Sequence, residues 1–258
     1  MIKLDQAQIF QQLVPRVQAA IPAIHIFDTL PSTNEWLLEQ DQTCGHVCLA
    51  EQQSAGRGRR GRVWESPPSG NIYFSLRWCF TETPQYYAWL GLVVGVAVAE
   101  ALANYGLHHH QIKWPNDVYM HGKKLAGILL QTAQPLQQVV IGIGINTGMS
   151  AHQTPIDQAW CDLGQLLAHT IDRNRLIALL LNRLVPSLQQ FLHFNQPDFL
   201  QQWQRWDYLA NKSVNIFNNN QQLQGLVLGL DAQGQLSVRL NSGETQSFSS
   251  ADISVRTA

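Results

Sequence analysis

Hydrophobic residues follow two different patterns along the chain, and the change lies near residue 210. Before it, segments with the spacing of amphipathic helices alternate with short strands; after it, only short strands separated by turns remain. The first part contains helix patterns at 4–20, 32–38, 85–105, 171–194 and 197–206, and strand patterns at 25–30, 46–52, 71–80, 111–114, 118–120, 124–132 and 139–144. We therefore expect a larger domain, residues 1–210, followed by a small one, residues 211–258.

The small domain is expected to be a β-barrel. Its strand patterns lie at 214–217, 223–230, 235–240 and 246–255, with turns at 231–234 and 241–243. Short, evenly spaced strands of this kind are typical of small barrels. In the larger domain, the segment 85–105 is apolar on nearly every side, which predicts a central helix buried against a sheet. Its apolar run is shorter than the roughly 20 residues that cross a bilayer, so no membrane is expected.

Composition and charge narrow the function. The 258 residues are 45% hydrophobic, enough for a sizeable core, and the net charge is -1. A charge so close to neutral argues against general nucleic-acid binding, so no DNA partner is expected. The histidines at 108–110 are expected to form a solvated turn, and no resident metal is expected. The cysteines lack paired C-x-x-C spacing and are expected to be reduced thiols in a cytoplasmic protein; they are Cys44, Cys48, Cys79 and Cys161.

One loop concentrates basic side chains, and we name its residues, 54–70, the arginine loop. It joins two predicted strands, and four arginines alternate in it with glycines: Arg57, Arg59, Arg60 and Arg62 with Gly56, Gly58 and Gly61. Glycine lets successive backbone N–H groups converge on an anion, and arginine adds a permanently charged fork that matches phosphate or carboxylate oxygens. The expected ligand of this loop carries phosphate.

Three phosphate-binding motifs overlap the arginine loop, and each fails. The spacing Gly56-x-Gly58-x-x-Gly61 fits a dinucleotide-binding turn, but the prolines at 67 and 68 prevent the helix that this motif must open. The same spacing fits a kinase glycine loop, but the chain has no His-Arg-Asp or Asp-Phe-Gly triplet. A P-loop needs Lys-Ser/Thr after the last glycine, where the chain has Arg62 and Val63. The phosphate chemistry must be of another kind.

The helix that begins near Ser32 is a second candidate site. Ser32, Thr33, Asn34 and Glu35 have the order of a capping box, which by itself only starts a helix. The alternative is that the first three side chains also face a ligand at the positive end of the helix. Taken alone, these residues leave both interpretations open.

Further polar groups follow in a fixed order: Gln53, the arginine loop with Trp64, Lys113-Trp-Pro-Asn-Asp117, Lys124-Leu-Ala-Gly127, and Gly142-Ile-Gly-Ile-Asn146. Together with residues 32–34, these motifs resemble the biotin protein ligases, from about residue 28 to the end of the chain. The resemblance implies an α+β fold. Its catalytic domain would be a mixed β-sheet flanked by helices, the class II synthetase-like fold shared with lipoate ligases, and an SH3-like β-barrel would follow.

The resemblance also implies an ATP-dependent, AMP-forming reaction in two steps. Biotin and Mg-ATP would give biotinyl-5′-AMP and pyrophosphate, and biotin would then pass to one lysine of a biotin carrier protein, such as the carrier subunit of acetyl-CoA carboxylase. Activation joins a carboxylate to the α-phosphate, two anions that repel, so the site needs cations where negative charge accumulates. The expected ligands are ATP, Mg²⁺ and biotin.

Carried over position by position, the resemblance assigns roles to individual residues. The biotin contacts would be Ser32, Thr33, Asn34, Gln53, Arg57, Gly58, Arg59, Lys124 and Gly127. The ATP or adenylate contacts would be Arg57, Arg59, Arg62, Trp64, Lys113, Asn116 and Asn146. The catalytic groups would be Arg59, Lys124, which bridges carboxylate and phosphate, and Asp117, which receives the proton of the acceptor lysine. The alternative for Asp117 is that it is not catalytic and only forms part of a turn after Pro115.

Some features depart from the family pattern. Gln52 stands where an aromatic residue is common, Ser54 where Gln is common, and Gly70 lies one place later than in many members. One helix before the first strand is too little for the DNA-reading domain of members that double as repressors, so a ligase-only form is expected. The rival hypotheses are a lipoate or octanoyl transferase on the same fold and a small nucleic-acid binder. A homodimer formed through a sheet edge stays open.

Overall fold

The structure is a computed structural model that describes residues 2–39, 44–68, 70–133, 137–149, 156, 158–218, 221–250 and 253–257. The helices are α1 (Gln6–Gln11), α2 (Pro15–Gln18), α3 (Thr33–Glu39), α4 (Leu90–Tyr105), α5 (Leu163–Leu166), α6 (Arg173–Gln190) and α7 (Gln196–Gln204). The first seven strands are β1 (Ile24–Leu30), β2 (Val47–Gln53), β3 (Ile72–Cys79), β4 (Gln111–Lys113), β5 (Asp117–Met120), β6 (Lys123–Ala133) and β7 (Gln138–Ile145). The C-terminal strands are β8 (Ser213–Asn218), β9 (Gln221–Leu230), β10 (Leu236–Leu240), β11 (Thr245–Phe248) and β12 (Ile253–Thr257).

The strands form two sheets. The first is mixed and has the order β1-β2-β3-β7-β6-β5-β4; β1 and β2 run parallel, and the other neighbours are antiparallel. The second is antiparallel and has the order β11-β10-β9-β8-β12. A mixed sheet with flanking helices, followed by a small antiparallel β unit, is the predicted α+β architecture. The fold class is therefore confirmed.

The apolar helix α4 fills the core on one face of the first sheet. Most of its residues are buried, and α6 packs against it. Gly95 faces the sheet, and a Cβ there would lie in ordinary van der Waals contact with the Ile112 side chain, at 3.5 Å. The segment Tyr87–Tyr105 is long and apolar enough to cross a membrane, but 61% of its most apolar window is buried inside the fold. Burial of this extent is that of a core helix, as the pattern predicts.

Two predicted elements differ from the structure, and one helix was not predicted. The pattern predicted as one helix over 4–20 forms α1 and α2, because Val14 precedes Pro15 and adopts an extended backbone with φ −68° and ψ 151°. The predicted strand 246–255 is divided into β11 and β12, so the described C-terminal residues form five strands where four were expected. The short helix α5 has no predicted counterpart; the Asp162 carboxylate caps it by accepting from Gln165 N at 2.8 Å.

The prediction of reduced thiols is wrong for two of the cysteines. Cys44 and Cys79 form a disulfide, with 5.5 Å between their Cα atoms. They meet because the antiparallel register of β2 and β3, continued beyond Val47, places them opposite one another. Cys48 and Cys161 are free and buried, as expected for structural thiols. The Cys44–Cys79 disulfide does not support the predicted reducing cytoplasm.

The prediction of a solvated histidine turn is wrong for one residue. His108 and His109 are exposed, but His110 is only 2% exposed. Its Nε2 lies 2.8 Å from the carbonyl oxygen of Ala99, and its ring stacks on Trp206 at 4.9 Å between centroids. Burial lowers the pKa of His110, so its neutral form is favoured in the fold.

Arg173 joins the N-terminal segment to the first sheet. Its side chain is 2% exposed, and its two terminal nitrogens donate to the Glu51 carboxylate at 2.6 and 3.0 Å. The same nitrogens donate to the carbonyls of Asn71 at 3.1 Å and Ile2 at 2.8 Å. Because Glu51 lies in β2, two residues before Gln53, this buried pair holds the end of the strand that leads into the arginine loop.

Replacing Arg173 by Met should lower the free energy of unfolding by about 3–5 kcal/mol, because Glu51 would lose its buried partner. Urea unfolding measures the loss. The matched control is Arg183→Met, since Arg183 pairs with Glu100 at 3.9 Å and both side chains are more than a third exposed. The control should cost less than about 1 kcal/mol. Equal losses in the two variants would contradict the anchoring role of Arg173.

Two histidines meet beside α3. His25 Nε2 lies 3.2 Å from His46 Nδ1, and the His25 ring packs on Trp36 of α3 at 4.8 Å between centroids. Partial burial lowers the pKa of both histidines. The charge of His46 lowers the pKa of His25 further, and the charge of Arg77 lowers the pKa of His46 further. One proton can lie between the two nitrogens, so a pair in which both rings are charged must separate.

The histidine pair should weaken the fold in mild acid. Both folded pKa values lie below the ordinary 6.5, so the unfolded chain binds more protons, and the stabilisation present above about pH 7 is lost as the pH falls below 6.5. The loss of unfolding free energy caused by His46→Asn should therefore shrink between pH 7.5 and pH 5.5. A constant difference for His46→Asn would refute the coupling.

Candidate active site

The arginine loop folds back on itself instead of extending into solvent. Gly58 N donates to Arg62 O at 2.7 Å, and Trp64 N donates to Gly56 O at 3.0 Å. The tip is a 3-10 turn in which Arg60 and Gly61 have φ of 57° and 71°. This left-handed backbone suits glycine and strains arginine. The loop is thus a narrow hairpin that presents its arginines around a tight tip.

The indole of Trp64 lies flat on two strands of the first sheet. Gly127 of β6 and Gly144 of β7 are opposite one another in the register. A Cβ would lie 2.7 Å from the indole at Gly127 and 2.5 Å from it at Gly144, so only glycine allows this contact. Lys124 Nζ lies 5.2 Å from the ring centre, within cation–π range. The indole Nε1 is buried and has no hydrogen-bond partner among the described residues.

A carboxylate between two lysines lies next to this indole. Lys124 Nζ is 2.8 Å from Asp117 Oδ1, and both side chains are about four-fifths buried. Lys113 is opposite Asp117 in the β4–β5 register. Burial lowers the pKa of Lys113, and the nearby Asp117 carboxylate opposes that shift. The cluster keeps two ammonium groups beside one anion in a partly desolvated place, where an additional anion would be attracted.

Arg59 connects the loop tip to both sheets. Its Nη1 donates to Asn116 Oδ1 at 3.1 Å, and its Nη2 donates to Ser250 O at 2.7 Å. Asn116 Nδ2 in turn donates to Ile128 O at 2.7 Å. Burial and the charge of Arg60 lower the pKa of Arg59, and Asp117 opposes them. The predicted residues Arg59, Asn116 and Asp117 therefore share one environment.

A cavity of about 300 Å³ lies between the two sheets next to Arg59. Its lining includes Leu92 of α4, Asn116, Ile128 and the C-terminal residues Gly234 and Ser250. Beside it, Trp114 Nε1 donates to Gly234 O at 3.2 Å. The second sheet thus closes one side of the region that holds Arg59.

The remaining predicted arginines face outward. Arg57 forms an ion pair with Glu35 of α3, and its side chain is 54% exposed. Arg62 is also exposed, and Gly58 is partly buried in the loop hairpin. The Glu35 carboxylate, predicted to complete a capping box, points to Arg57, while Glu35 N donates to Ser32 Oγ at 3.4 Å. The capping interaction exists in one direction, and the helix start is linked to the loop.

The other predicted biotin residues form a polar cluster at the start of α3. Thr33 N donates to Gln53 Oε1 at 2.9 Å, the Thr33 hydroxyl oxygen lies 3.1 Å from the same Oε1, and Gln53 Nε2 donates to Ser66 Oγ at 3.0 Å. Ser32, Thr33 and Asn34 are all less than 5% exposed. Ser66 was not predicted. Ser66 lies two residues after Trp64, and the sequence does not mark it as a site residue beyond its place in the arginine loop.

The side chain of Asn146 donates hydrogen bonds to backbone carbonyls. Its Nδ2 donates to Cys161 O at 3.2 Å and to Lys124 O at 3.4 Å, and its own N donates to Leu125 O at 2.9 Å. The residue is 6% exposed. Asn146 therefore holds the β6 segment that carries Lys124, while its predicted nucleotide contact stays a prediction.

The two polar clusters lie side by side on one face of the first sheet. Asn34 packs on Gly142 and Trp64 on Gly144, and these glycines are two residues apart in β7, about 7 Å along the strand. The described residues include no group of three or more His, Cys, Asp or Glu side chains that could hold a metal ion. The face thus joins uncharged hydrogen-bonding groups at one end to ammonium and guanidinium groups at the other.

Comparisons with known proteins agree with this arrangement. The model of the biotin/lipoate A/B protein ligase family matches residues 26–146, and that of the biotin protein ligase C terminal domain matches residues 210–256. The bifunctional ligase/repressor BirA of Escherichia coli is 35% identical over an alignment that covers 99% of this chain and 79% of the relative. The chain belongs to the biotin protein ligase family.

Two further similarities support that membership. The biotin–[acetyl-CoA-carboxylase] ligase of Mycobacterium tuberculosis is 33% identical, with 81% of this chain and 78% of the relative covered. The structure of the biotin protein ligase from Aquifex aeolicus in complex with biotin and ATP has a TM-score of 0.81 and 26% identity, and covers 92% of this chain and 100% of the other. The family predicted from the ordered motifs is confirmed.

Proposed function

We propose that this biotin protein ligase forms biotinyl-5′-AMP at the Lys113–Asp117–Lys124 cluster and then transfers biotin to a lysine of a carrier protein. The observation that carries the assignment is the 2.8 Å pair of Lys124 and Asp117 beside the indole of Trp64. It supplies an ammonium for two reacting anions and a carboxylate for an incoming amine. Relatives named as biotin–[acetyl-CoA-carboxylase] ligases point to a carrier of that enzyme as the acceptor.

In the first step, an oxygen of the biotin carboxylate attacks the α-phosphorus of ATP. The bond from that phosphorus to the bridging oxygen of the β-phosphate breaks, and pyrophosphate leaves. Negative charge accumulates between carboxylate and phosphate, and Lys124, Lys113 and Arg59 stabilise it from a partly desolvated site. Mg²⁺ is the expected companion of ATP and would add charge neutralisation at the phosphates.

In the second step, the amine of the carrier lysine attacks the acyl carbon of the adenylate. The bond between that carbon and the phosphate oxygen breaks, AMP leaves, and the nitrogen loses a proton. Asp117 is the proposed acceptor of that proton. Because Asp117 is paired with Lys124, the pair must loosen as Lys124 turns to the phosphate.

The other predicted site residues divide between the uncharged end and the positively charged end of this face of the first sheet. The biotin ring would lie at the uncharged end, formed by Ser32, Thr33, Asn34 and Gln53, with Arg57, Gly58 and Gly127 alongside. The nucleotide would lie towards Arg59, Arg62, Trp64, Lys113, Asn116 and Asn146. We place the domain boundary after residue 210, consistent with the start of the matched C-terminal family model. A homodimer, a cytoplasmic location and the absence of a DNA partner stay predictions.

The reaction class is tested by exchange of labelled pyrophosphate into ATP, with biotin and lipoate assayed side by side. Exchange that requires biotin is the expected result. Exchange with lipoate alone would overturn the proposed function in favour of a lipoate ligase.

Replacing Lys124 by Met should slow adenylate formation by about 100-fold or more, because the ammonium acts mainly on charge that develops in the transition state. The affinity for biotin, measured by calorimetry, should change by less than about threefold. Lys123→Met is the matched control, since Lys123 is adjacent and exposed. Similar losses of affinity and rate would count against a role in the chemical step.

Replacing Arg59 by Gly should release the adenylate. It removes charge-assisted contacts of roughly 1.5–3 kcal/mol and frees the loop backbone, so the reactive intermediate is less well enclosed. The variant should still consume biotin and ATP but label lysines of a bystander protein such as albumin.

The variant Arg60→Gly tests whether loss of a contact with Ser250 is enough to release the adenylate. Arg60 donates to the same Ser250 carbonyl as Arg59, but its side chain is exposed. We expect little bystander labelling from that variant. Equal labelling by both variants would assign the enclosure to the link with the C-terminal sheet and not to Arg59 itself.

A further inference from the structure

The side chain of Asn34, assigned to biotin binding from the family resemblance, is held on three sides. Its Nδ2 donates to Gln131 Oε1 at 2.7 Å, and its Oδ1 accepts from Ser75 Oγ at 2.5 Å. A Cβ on Gly142 would lie 2.4 Å from the same Oδ1, so the amide lies directly on the β7 backbone. Asn34 is 4% exposed and joins α3 to β3, β6 and β7.

Ser75 passes this constraint to Thr33. Its Oγ lies 2.7 Å from Thr33 Oγ1 as well as 2.5 Å from the Asn34 oxygen. The amide oxygen of Asn34 cannot donate, so the single Ser75 proton points to it. The 2.7 Å contact between the two hydroxyls then takes the Thr33 proton in preference to the longer, 3.1 Å contact from Thr33 Oγ1 to Gln53 Oε1. Gln53 Oε1 still receives the Thr33 N–H at 2.9 Å. The Thr33 hydroxyl is thereby left as an acceptor towards the site.

An acceptor at Thr33 matches a ligand ring that carries N–H donors. Biotin has such a ring, since its ureido group offers two N–H donors and one carbonyl acceptor. Sites that pair buried polar groups with an uncharged ring discriminate strongly, because a mismatched ligand leaves those groups unpaired. The orientation of the Thr33 proton is therefore a determinant of ring binding.

We infer that Ser75 and Gln131 are positioning residues for the biotin ring, acting through Asn34 and Thr33. Gln131 fixes the Asn34 amide, that amide fixes the Ser75 proton, and Ser75 fixes Thr33 as an acceptor. The inference rests on the proposed function for the placement of biotin. Neither residue carries charge or lies in the lysine cluster, so their effect is confined to the ring end of the site.

The test compares Gln131→Leu with Gln131→Glu in steady-state pyrophosphate exchange. Leu removes the acceptor that Asn34 needs, whereas Glu keeps an acceptor oxygen at the same place. Gln131→Leu should raise the KM for biotin by about tenfold, with kcat and the KM for ATP within about twofold of wild type. Gln131→Glu should restore the KM for biotin to within about threefold. Ser75→Ala, which deletes one oxygen atom, should reproduce the effect of Leu.

The outcomes separate a positioning role from a general loss of structure. Equal rises in the KM values for biotin and ATP, or the same result for Leu and Glu, would overturn the inference, because a damaged fold has no preference for one substrate. If Gln131→Leu does not fold, Ser75→Ala decides the question by the same comparison: the KM for biotin should rise while the KM for ATP stays near the wild-type value. An absence of biotin-dependent exchange in the wild-type enzyme would instead refute the proposed function.

Discussion

The site depends on the absence of a side chain at three positions of two adjacent strands. A Cβ would lie 2.7 Å from Trp64 at Gly127, 2.5 Å from it at Gly144, and 2.4 Å from Asn34 at Gly142. Distances this short lie below any real contact, so a methyl group at these positions would lift the arginine loop or the first turn of α3 from the sheet. The same glycines therefore set the depth of both ends of the proposed site, and they explain why a loop and a helix from different parts of the chain lie on one face.

The charge of the site is local and is balanced within the protein. The chain carries a formal charge of -1, yet Lys124 pairs with Asp117, and Lys113 and Arg59 lie near enough for the same carboxylate to oppose the lowering of their pKa values. Partly buried cations would repel one another, and the carboxylate reduces that cost while keeping them assembled. An incoming phosphate competes with Asp117 for the same ammonium. In the proposed mechanism, binding of the nucleotide would release the carboxylate that the second step requires, which would link the order of the two proposed steps to one ion pair.

Strands and motif residues could be predicted because their signals lie within short segments. The alternation in β3 and the run from Lys113 to Asp117 are examples. Pro15 is an equally local signal for the break between α1 and α2, but the prediction of one helix over 4–20 missed it. The contacts that build the site could not be predicted. Asn34 meets Ser75 and Gln131 across 41 and 97 residues, and Arg59 meets Ser250 across 191. Such pairs depend on strand order, as does the disulfide between Cys44 and Cys79.

The arginine loop and the C-terminal sheet are joined through one carbonyl. Arg59 and Arg60 both donate to the carbonyl of Ser250, at 2.7 and 3.0 Å. A carbonyl is a neutral acceptor, whereas a phosphate oxygen is charged and can form a bidentate pair with the same guanidinium. A nucleotide near Asn116 therefore competes for Arg59 with the C-terminal sheet. The sheet holds the arginine in place beforehand at small energetic cost, so the loop need not be ordered from a disordered state when ATP binds.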